Sequence, residues 1–302
     1  IGIPADILAG EDYLAHVIDG ALVRSWLPRR PADGHKGNFG KVLVVGGSRG
    51  YTGAPIMAAR GALRSGAGLV SLAVPEPVYQ IAAIKCDEAM PSPLPVGENG
   101  ELDESALMPL LGMLAGKDAV LLGPGLGRSA GTESLVYSVL TTVDFPLVGD
   151  ADGINALSRH MDILDGRRDC PTIVTPHDGE FARMGGDLSD GDRLSAARRF
   201  AVEHGCLLVL KGHRTIIALP NGECFVNTTG NSGMAKGGSG DVLGGMILSL
   251  LGQGMNPVRA AVCAVWLHGR AGDLAAADKG EYGMLPTDLI EQIPYAMKEL
   301  TV

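Results

Sequence analysis

Short apolar runs alternate with helical stretches through most of the 302 residues, and that alternation constrains the fold more than any other feature. Lys41–Val45 reads KVLVV and residues 69–74 read LVSLAV. Such nearly continuous apolar runs are expected of strands buried on both faces of a parallel sheet. Between them Gly46-Gly47 closes the first strand, residues 54–65 have helical spacing, and Gly66 and Gly68 stop the helix. That is one βαβ unit. The pattern continues with strands at Ala119–Leu122, 146–148, Thr172–Val174 and 206–210, and helices at 78–86, 104–114, 132–140 and Arg193–His204. Residues 216–219 and 223–227 flank Pro220-Asn221-Gly222 and predict an antiparallel hairpin. Helices are expected near 241–252, 257–277 and 286–299. Residues 1–40 read as irregular, with apolar patches at 7–8 and 21–27, and Pro91, Pro93 and Pro95 read as a connection. The expected fold class is α/β, a three-layer α/β/α arrangement with a mostly parallel central sheet.

In such sheets ligands bind beyond the carboxyl ends of the strands. The turns there are 46–53, 123–127, 150–155, 176–180 and 211–215, the richest glycine and polar turns in the chain. A sixth stretch, AKGGSGDVLGGMILSLL at 235–251, sets Gly237, Gly238 and Gly240 just ahead of Asp241 and an apolar helix. The first amides of a helix lack intrahelical partners, and glycines let them approach an anion closely. A carboxylate at that mouth repels phosphate, so Asp241 makes sense if it handles a proton or orients a hydroxyl beside a phosphoryl group. Taken alone, the stretch equally fits an aspartate N-cap. Lys211, after a buried strand, suits a nucleotide phosphate or an ordinary solvated lysine. His177 and Glu180 share one short turn, where Glu180 suits Mg²⁺ held through water. His268, in a long apolar helix, reads as a satisfied core histidine. The 46–53 loop has neither GxGxxG spacing nor a GKS/T ending, which excludes a dinucleotide fingerprint and a P-loop.

A net charge of −9 argues against a nucleic-acid partner, and no apolar run reaches membrane length. Five scattered cysteines without a CxxC pair suit a reducing compartment such as the cytoplasm, with no zinc site expected.

The segments HKGNFGKVLVVGGSRGYTGAP, ALRSGAGLVSLAVPE, GPGLG, DADGINAL, TPHDGE, KGHRT and NTTGNSGMAKGGSGDVLGG run in order from about residue 35 to 245. Together they resemble the ADP-dependent NAD(P)H-hydrate dehydratases of the ribokinase-like superfamily. The resemblance implies substrate contacts at Ala54, Gly127, His177 and Asp241. It implies nucleotide contacts at Lys211, Gly212, His213, Arg214, Thr215 and Gly240. Ser239 stands where many such proteins carry threonine, a small change. The implied reaction converts the S form of NADHX or NADPHX to NADH or NADPH, with ADP rather than ATP giving its β-phosphoryl group. Mg²⁺ is the implied metal, with K⁺ as a possible monovalent ion, and the implied assembly is a homo-oligomer, preferably a tetramer. The alternatives are a vitamin-precursor kinase of the same fold, or a nucleotide-binding regulatory module, which Asp241 speaks against.

The chain opens with IGIPADIL and no methionine. The resemblance implies that residues 1–34 are the tail of a preceding epimerase domain in a longer parent, and that 35–302 form a single dehydratase domain.

Overall fold

The computed structural model describes residues 15–301; the apolar patch at 7–8 and the IGIPADIL opening lie outside the described residues. The first half contains β1 (Ala15–Val17), α1 (Gly20–Trp26), β2 (Lys41–Val45), α2 (Gly53–Arg64), β3 (Leu69–Pro75), α3 (Glu76–Lys85), β4 (Met90–Leu94), α4 (Leu107–Leu114), β5 (Ala119–Leu122) and α5 (Ala130–Thr142). There follow β6 (Leu147–Gly149), α6 (Ala151–Leu157), α7 (Asp162–Gly166), β7 (Thr172–Val174), α8 (Asp178–Arg183), α9 (Arg193–His204), β8 (Leu207–Leu210), β9 (Ile216–Ala218) and β10 (Cys224–Val226). The chain ends with α10 (Ser239–Gly252), α11 (Pro257–Lys279) and α12 (Pro286–Thr301).

Among the described residues the ten strands form one sheet in the order β1-β10-β9-β8-β7-β6-β5-β2-β3-β4. All pairings are parallel except those of β9, which runs antiparallel to β8 and β10 and completes the expected hairpin. The apolar runs split by parity, as the two-residue strand period demands. Val42 and Val44 face one core with α2, α10, α11 and α12; Leu43 and Val45 face a second core with α4, α5, α6 and α9. Sheet and helices on both faces make the expected three layers.

Two readings are corrected. Pro91 and Pro93 lie in β4, an edge strand paired with β3, rather than in a connection. Residues two apart turn their nitrogens to the same side, so both missing N–H groups fall on the open edge, where no ladder bond is lost. Residues 1–40 are not wholly irregular either. β1 pairs with β10, some 200 residues away, and α1 carries Val23 into the core. A three-residue strand whose partner is so remote leaves no local signal.

Helix α10 lies against α2 with almost no space between the backbones. An ideal Cβ on Gly245 would sit 1.9 Å from Ala58 O, and one on Gly61 would sit 2.7 Å from Val242 O. This contact sets the height of α10 above the sheet. Gly245→Ala should therefore cost about 3 kcal/mol, the upper end of the usual overpacking range, because backbone rather than a flexible side chain has to move. Urea denaturation checks it; a midpoint equal to that of the unsubstituted protein would mean that the two helices are not held by this contact.

Candidate active site

Strand β2 lies between β3 and β5, so the chain departs from β2 in one direction along the sheet and resumes on its other side. This is the topological switch point at which open α/β sheets bind ligands. The loops after β2 and β5 meet there: Gly47 N donates to Pro124 O at 2.8 Å. An ideal Cβ on Gly125 would lie 3.3 Å from the Ala54 side chain. Ala54, at the start of α2, thus faces the GPGLG turn.

The next three loops along the sheet, after β6, β7 and β8, build a charge cluster. Lys211 Nζ donates to Asp150 Oδ1 at 2.8 Å and lies 3.7 Å from Glu180 Oε2. Both carboxylates are buried. Thr175 Oγ1 donates to the same Asp150 oxygen at 2.7 Å. Glu180 Oε2 accepts from His177 N at 2.9 Å, while His177 Nδ1 accepts from the amides of Gly179 and Glu180 at 3.0 and 3.2 Å. This reciprocal capping box starts α8 and holds ring and carboxylate side by side. Because Nδ1 accepts, a neutral His177 carries its proton on Nε2. Backbone pairing ties the loops together, with Lys211 N donating to Pro176 O at 2.8 Å.

The first turn of α10 closes the cluster from above. Gly238, with φ of +107°, turns the chain into the helix, and an ideal Cβ on Gly240 would come within 3.3 Å of Lys211 Nζ. The amides of Gly240 and Asp241 find no acceptor among the described residues. His268 supports this turn from below. Its Nε2 lies 2.9 Å from Ser239 O. Burial holds the ring down at about 4, so it is neutral and donates. It is the satisfied core histidine expected, and its bond is made at the site.

Four carboxylates, Asp150, Asp152, Glu180 and Asp241, act here with one ammonium. Burial first, and then the Asp150 carboxylate, push the Asp241 carboxyl up to about 7, although Lys211 works the other way. For Lys211, burial acts to lower the value, but Asp150 and Glu180 outweigh it and hold the ammonium above the ordinary lysine range. Lys211 therefore stays charged, whereas Asp241 is poised to gain or lose a proton near neutral pH.

Gly127 is displaced from this centre: its N donates to Asp152 Oδ2 at 3.1 Å. Gly212, His213 and Arg214 form an exposed rim beyond Lys211, closed by Thr215 Oγ1 donating to Gly212 O at 3.0 Å. Arg214 and Ala151 are the two non-glycine residues in left-handed backbone among the described residues, with φ of +60° and +48°. Both flank the cluster, where such strain tends to collect. Sequence reasoning passed over Asp150 and Thr175 as site residues. The available signal was the DADG turn at a strand's carboxyl end.

An oxygen-only donor set with an excess of negative charge fits a hard divalent cation. Among the described residues no three His, Cys, Asp or Glu side chains converge into a ready-made cage. Mg²⁺ is an ion of that class, since it keeps its waters and takes one or two carboxylates plus substrate phosphates. Asp150 and Glu180 are the two carboxylates beside Lys211 that would hold such an ion.

Raised above its unfolded value, Asp241 keeps its proton in the folded protein between about pH 4 and pH 7, where the unfolded chain has lost it. Its contribution to stability is therefore full below pH 4 and disappears as pH rises through 7. Asp241→Asn should accordingly stabilise the protein at pH 8, by roughly 2 kcal/mol, and leave it unchanged at pH 4. Thermal melts at the two pH values read this; equal melting temperatures for the two proteins at pH 8 would show that Asp241 ionises without strain.

A family model described as NAD(P)H-hydrate dehydratase matches residues 42–295. A bifunctional NAD(P)H-hydrate repair enzyme of Moorella thermoacetica is 46% identical over 303 residues, covering 99% of this chain and 57% of its own length. An ADP-dependent (S)-NAD(P)H-hydrate dehydratase of Neisseria meningitidis is 38% identical over 256 residues, covering 83% of this chain and 82% of that protein. Among solved structures, an ADP/ATP-dependent NAD(P)H-hydrate dehydratase of Bacillus subtilis, co-crystallised with ATP and Mg²⁺, superposes with a TM-score of 0.78 at 32% identity. That match covers 93% of this chain and 97% of the other. The fold is ribokinase-like. The chain spans about half the length of the bifunctional relatives that it matches.

Proposed function

The chain belongs to the NAD(P)H-hydrate dehydratase family, and we propose that it restores NADH and NADPH from the S form of their hydrates, using ADP as phosphoryl donor. The observation that carries this reading is the placement of Asp241, half-buried beside two unpaired helix amides and Lys211, with its carboxyl pushed to about 7.

In the hydrate, water has added across a ring double bond, and hydroxide is a poor leaving group. Asp241 accepts the proton as the hydroxyl oxygen attacks the β-phosphorus of ADP. The bond from that phosphorus to the bridging oxygen breaks and AMP leaves. The amides of Gly240 and Asp241 hold the transferring phosphoryl group, and Lys211 offsets its charge. Phosphate then departs with the carbon–oxygen bonding pair, pushed by the ring nitrogen's lone pair. Loss of a proton from the adjacent ring carbon restores the double bond. When bound, Mg²⁺ supplies positive charge to the phosphates. Lys211, Gly212, His213, Arg214 and Thr215 form the nucleotide side of the cleft. Ala54, Gly127 and His177 form the hydrate side. Glu180 is the carboxylate that would hold Mg²⁺, through water.

Residues 35–302 form the dehydratase domain in this proposal, and the preceding residues lead from an epimerase domain. The half-length match to bifunctional repair enzymes supports it. β1 and α1 nonetheless belong to the sheet and core already described. The active assembly is proposed to be a homo-oligomer in the cytoplasm. Among the described residues no helix is long and apolar enough to cross a membrane.

The test is the recovery of 340 nm absorbance from NADHX on adding the protein with ADP or with ATP. Recovery with ADP, stopping at the S share of a mixed sample apart from slow spontaneous epimerisation, is expected. No recovery with either nucleotide would end the proposal.

Asp241→Asn should lower kcat about 10²–10⁴-fold while leaving nucleotide affinity nearly unchanged, because the amide keeps the shape but takes no proton. In the unsubstituted protein kcat/KM should rise with pH through about 7, following ionisation of Asp241. A flat profile, or a variant with most of its kcat intact, would remove Asp241 from the chemistry. Lys211→Ala should weaken AMP binding by about tenfold or more in calorimetry, through loss of a charge-assisted contact.

A further inference from the structure

The charge cluster around Asp241 and Lys211 accounts for the phosphoryl donor and the reacting hydroxyl. It leaves the far end of a dinucleotide without a partner. On the other side of Asp152 the chain forms a separate pocket of about 140 Å³. Gly127, Arg128, Asp152, Asn155, Arg159 and Arg183 are the lining residues that matter. The volume is well below that of a complete small-molecule site, typically about 300–1,000 Å³, and suits one polar group rather than a whole ligand.

Its charge is opposite to that of the protein. Three guanidinium groups line it, against the carboxylates of Glu133 and Asp152, in a chain whose net charge is −9. Asp152 is already engaged, accepting from Gly127 N at 3.1 Å, Arg128 Nε at 2.9 Å and Asn155 Nδ2 at 3.0 Å. Glu133 is held by Arg159 at 3.0 Å and by His160 at 3.1 Å. Arg183 has no carboxylate within ion-pair distance among the described residues. Its Nε donates to Asn155 Oδ1 at 2.9 Å, which ties it to the pocket and leaves its other N–H groups for a ligand. At the start of α5 the N-cap Ser129 is engaged, its Oγ accepting from Thr132 N at 3.2 Å. The amide of Ser129 already goes to Glu101 Oε2 at 3.1 Å. Arg128, Arg159 and Arg183 are the cationic donors that line the pocket.

Asp152 joins the two places. It lines this pocket, and its charge also raises the proton affinity of Asp241. A ligand that reaches from one to the other carries a ring with a hydroxyl at one end and a phosphate some way along. Resting on the proposed hydrate substrate, we infer that this arginine pocket is a phosphate subsite for the dinucleotide, separate from the site of the phosphoryl donor. A bridging diphosphate and an additional ribose 2′-phosphate present the same chemistry to three guanidinium groups.

NADH and NADPH serve as probes, since their binding is read by nicotinamide fluorescence without turnover. Arg159 and Arg183 are exposed, so Arg159→Ala, Arg183→Ala and the double variant should fold normally. Matching thermal melts check this. The double variant should bind at least one of the two probes about tenfold more weakly, with a smaller dependence on salt, and KM for ADP should not change. Equal weakening of both probes assigns the pocket to the bridging diphosphate. Weakening of NADPH alone assigns it to the 2′-phosphate. Unchanged affinity for both probes, or a rise in KM for ADP instead, would overturn the inference. If the unsubstituted protein fails to recover NADH from the hydrate but binds the probes through these arginines, the catalytic proposal falls and the subsite stands.

Discussion

Helix α10 can rest on α2 only because Gly61 and Gly245 have no Cβ. Much of the active site depends on that backbone contact. It brings the first turn of α10 down to the carboxyl edge of the sheet, where Gly240 meets Lys211 and Gly244 approaches Asp150. Larger residues would lift the helix, and its free amides would then point over the ion cluster instead of into it. The glycines of GGSGDVLGG thus do two jobs. Those before Asp241 shape the turn, and those after it set the distance.

The second constraint is electrostatic. Burying several carboxylates with one lysine is unfavourable unless something changes protonation or brings positive charge. Lys211 is held firmly by Asp150 and Glu180, so the unfavourable part falls on Asp241. A carboxyl that ionises near neutrality at a helix mouth suits proton transfer beside a phosphoryl group. It also explains why a divalent cation fits the same place. The neutral His268 beneath the turn adds no charge to this balance.

The class of fold was legible because the strands are buried on both faces, and KVLVV announces that directly. The loops at the strand ends were legible for the same reason: their glycines and polar residues interrupt apolar runs. Lys211, His177, Glu180, Gly240 and Asp241 were named from such loops, and the structure brings them to one point. Ala54 and Gly127 lie further along the edge, against GPGLG and Asp152. Pro91 and Pro93 misled, since a proline signals a loop unless one knows that its strand is at the edge. β1 was invisible because its partner, β10, is about 200 residues away.

By itself the sequence determined the layered α/β architecture, the carboxyl edge as the place for ligands, and Asp241 at a glycine-rich helix start. These follow from local patterns of period, turn chemistry and backbone freedom. Only the tertiary structure decided that Asp150, and not a phosphate alone, is the partner of Lys211, and that the Asp241 carboxyl is pushed up to about 7 while Lys211 stays charged. It alone revealed the arginines gathered beyond Asp152. Those outcomes depend on distances between side chains some 20 to 90 residues apart, and on how deeply each is buried. Neither quantity is written in local spacing, because the dielectric surroundings of a charge are set by whatever the fold packs around it.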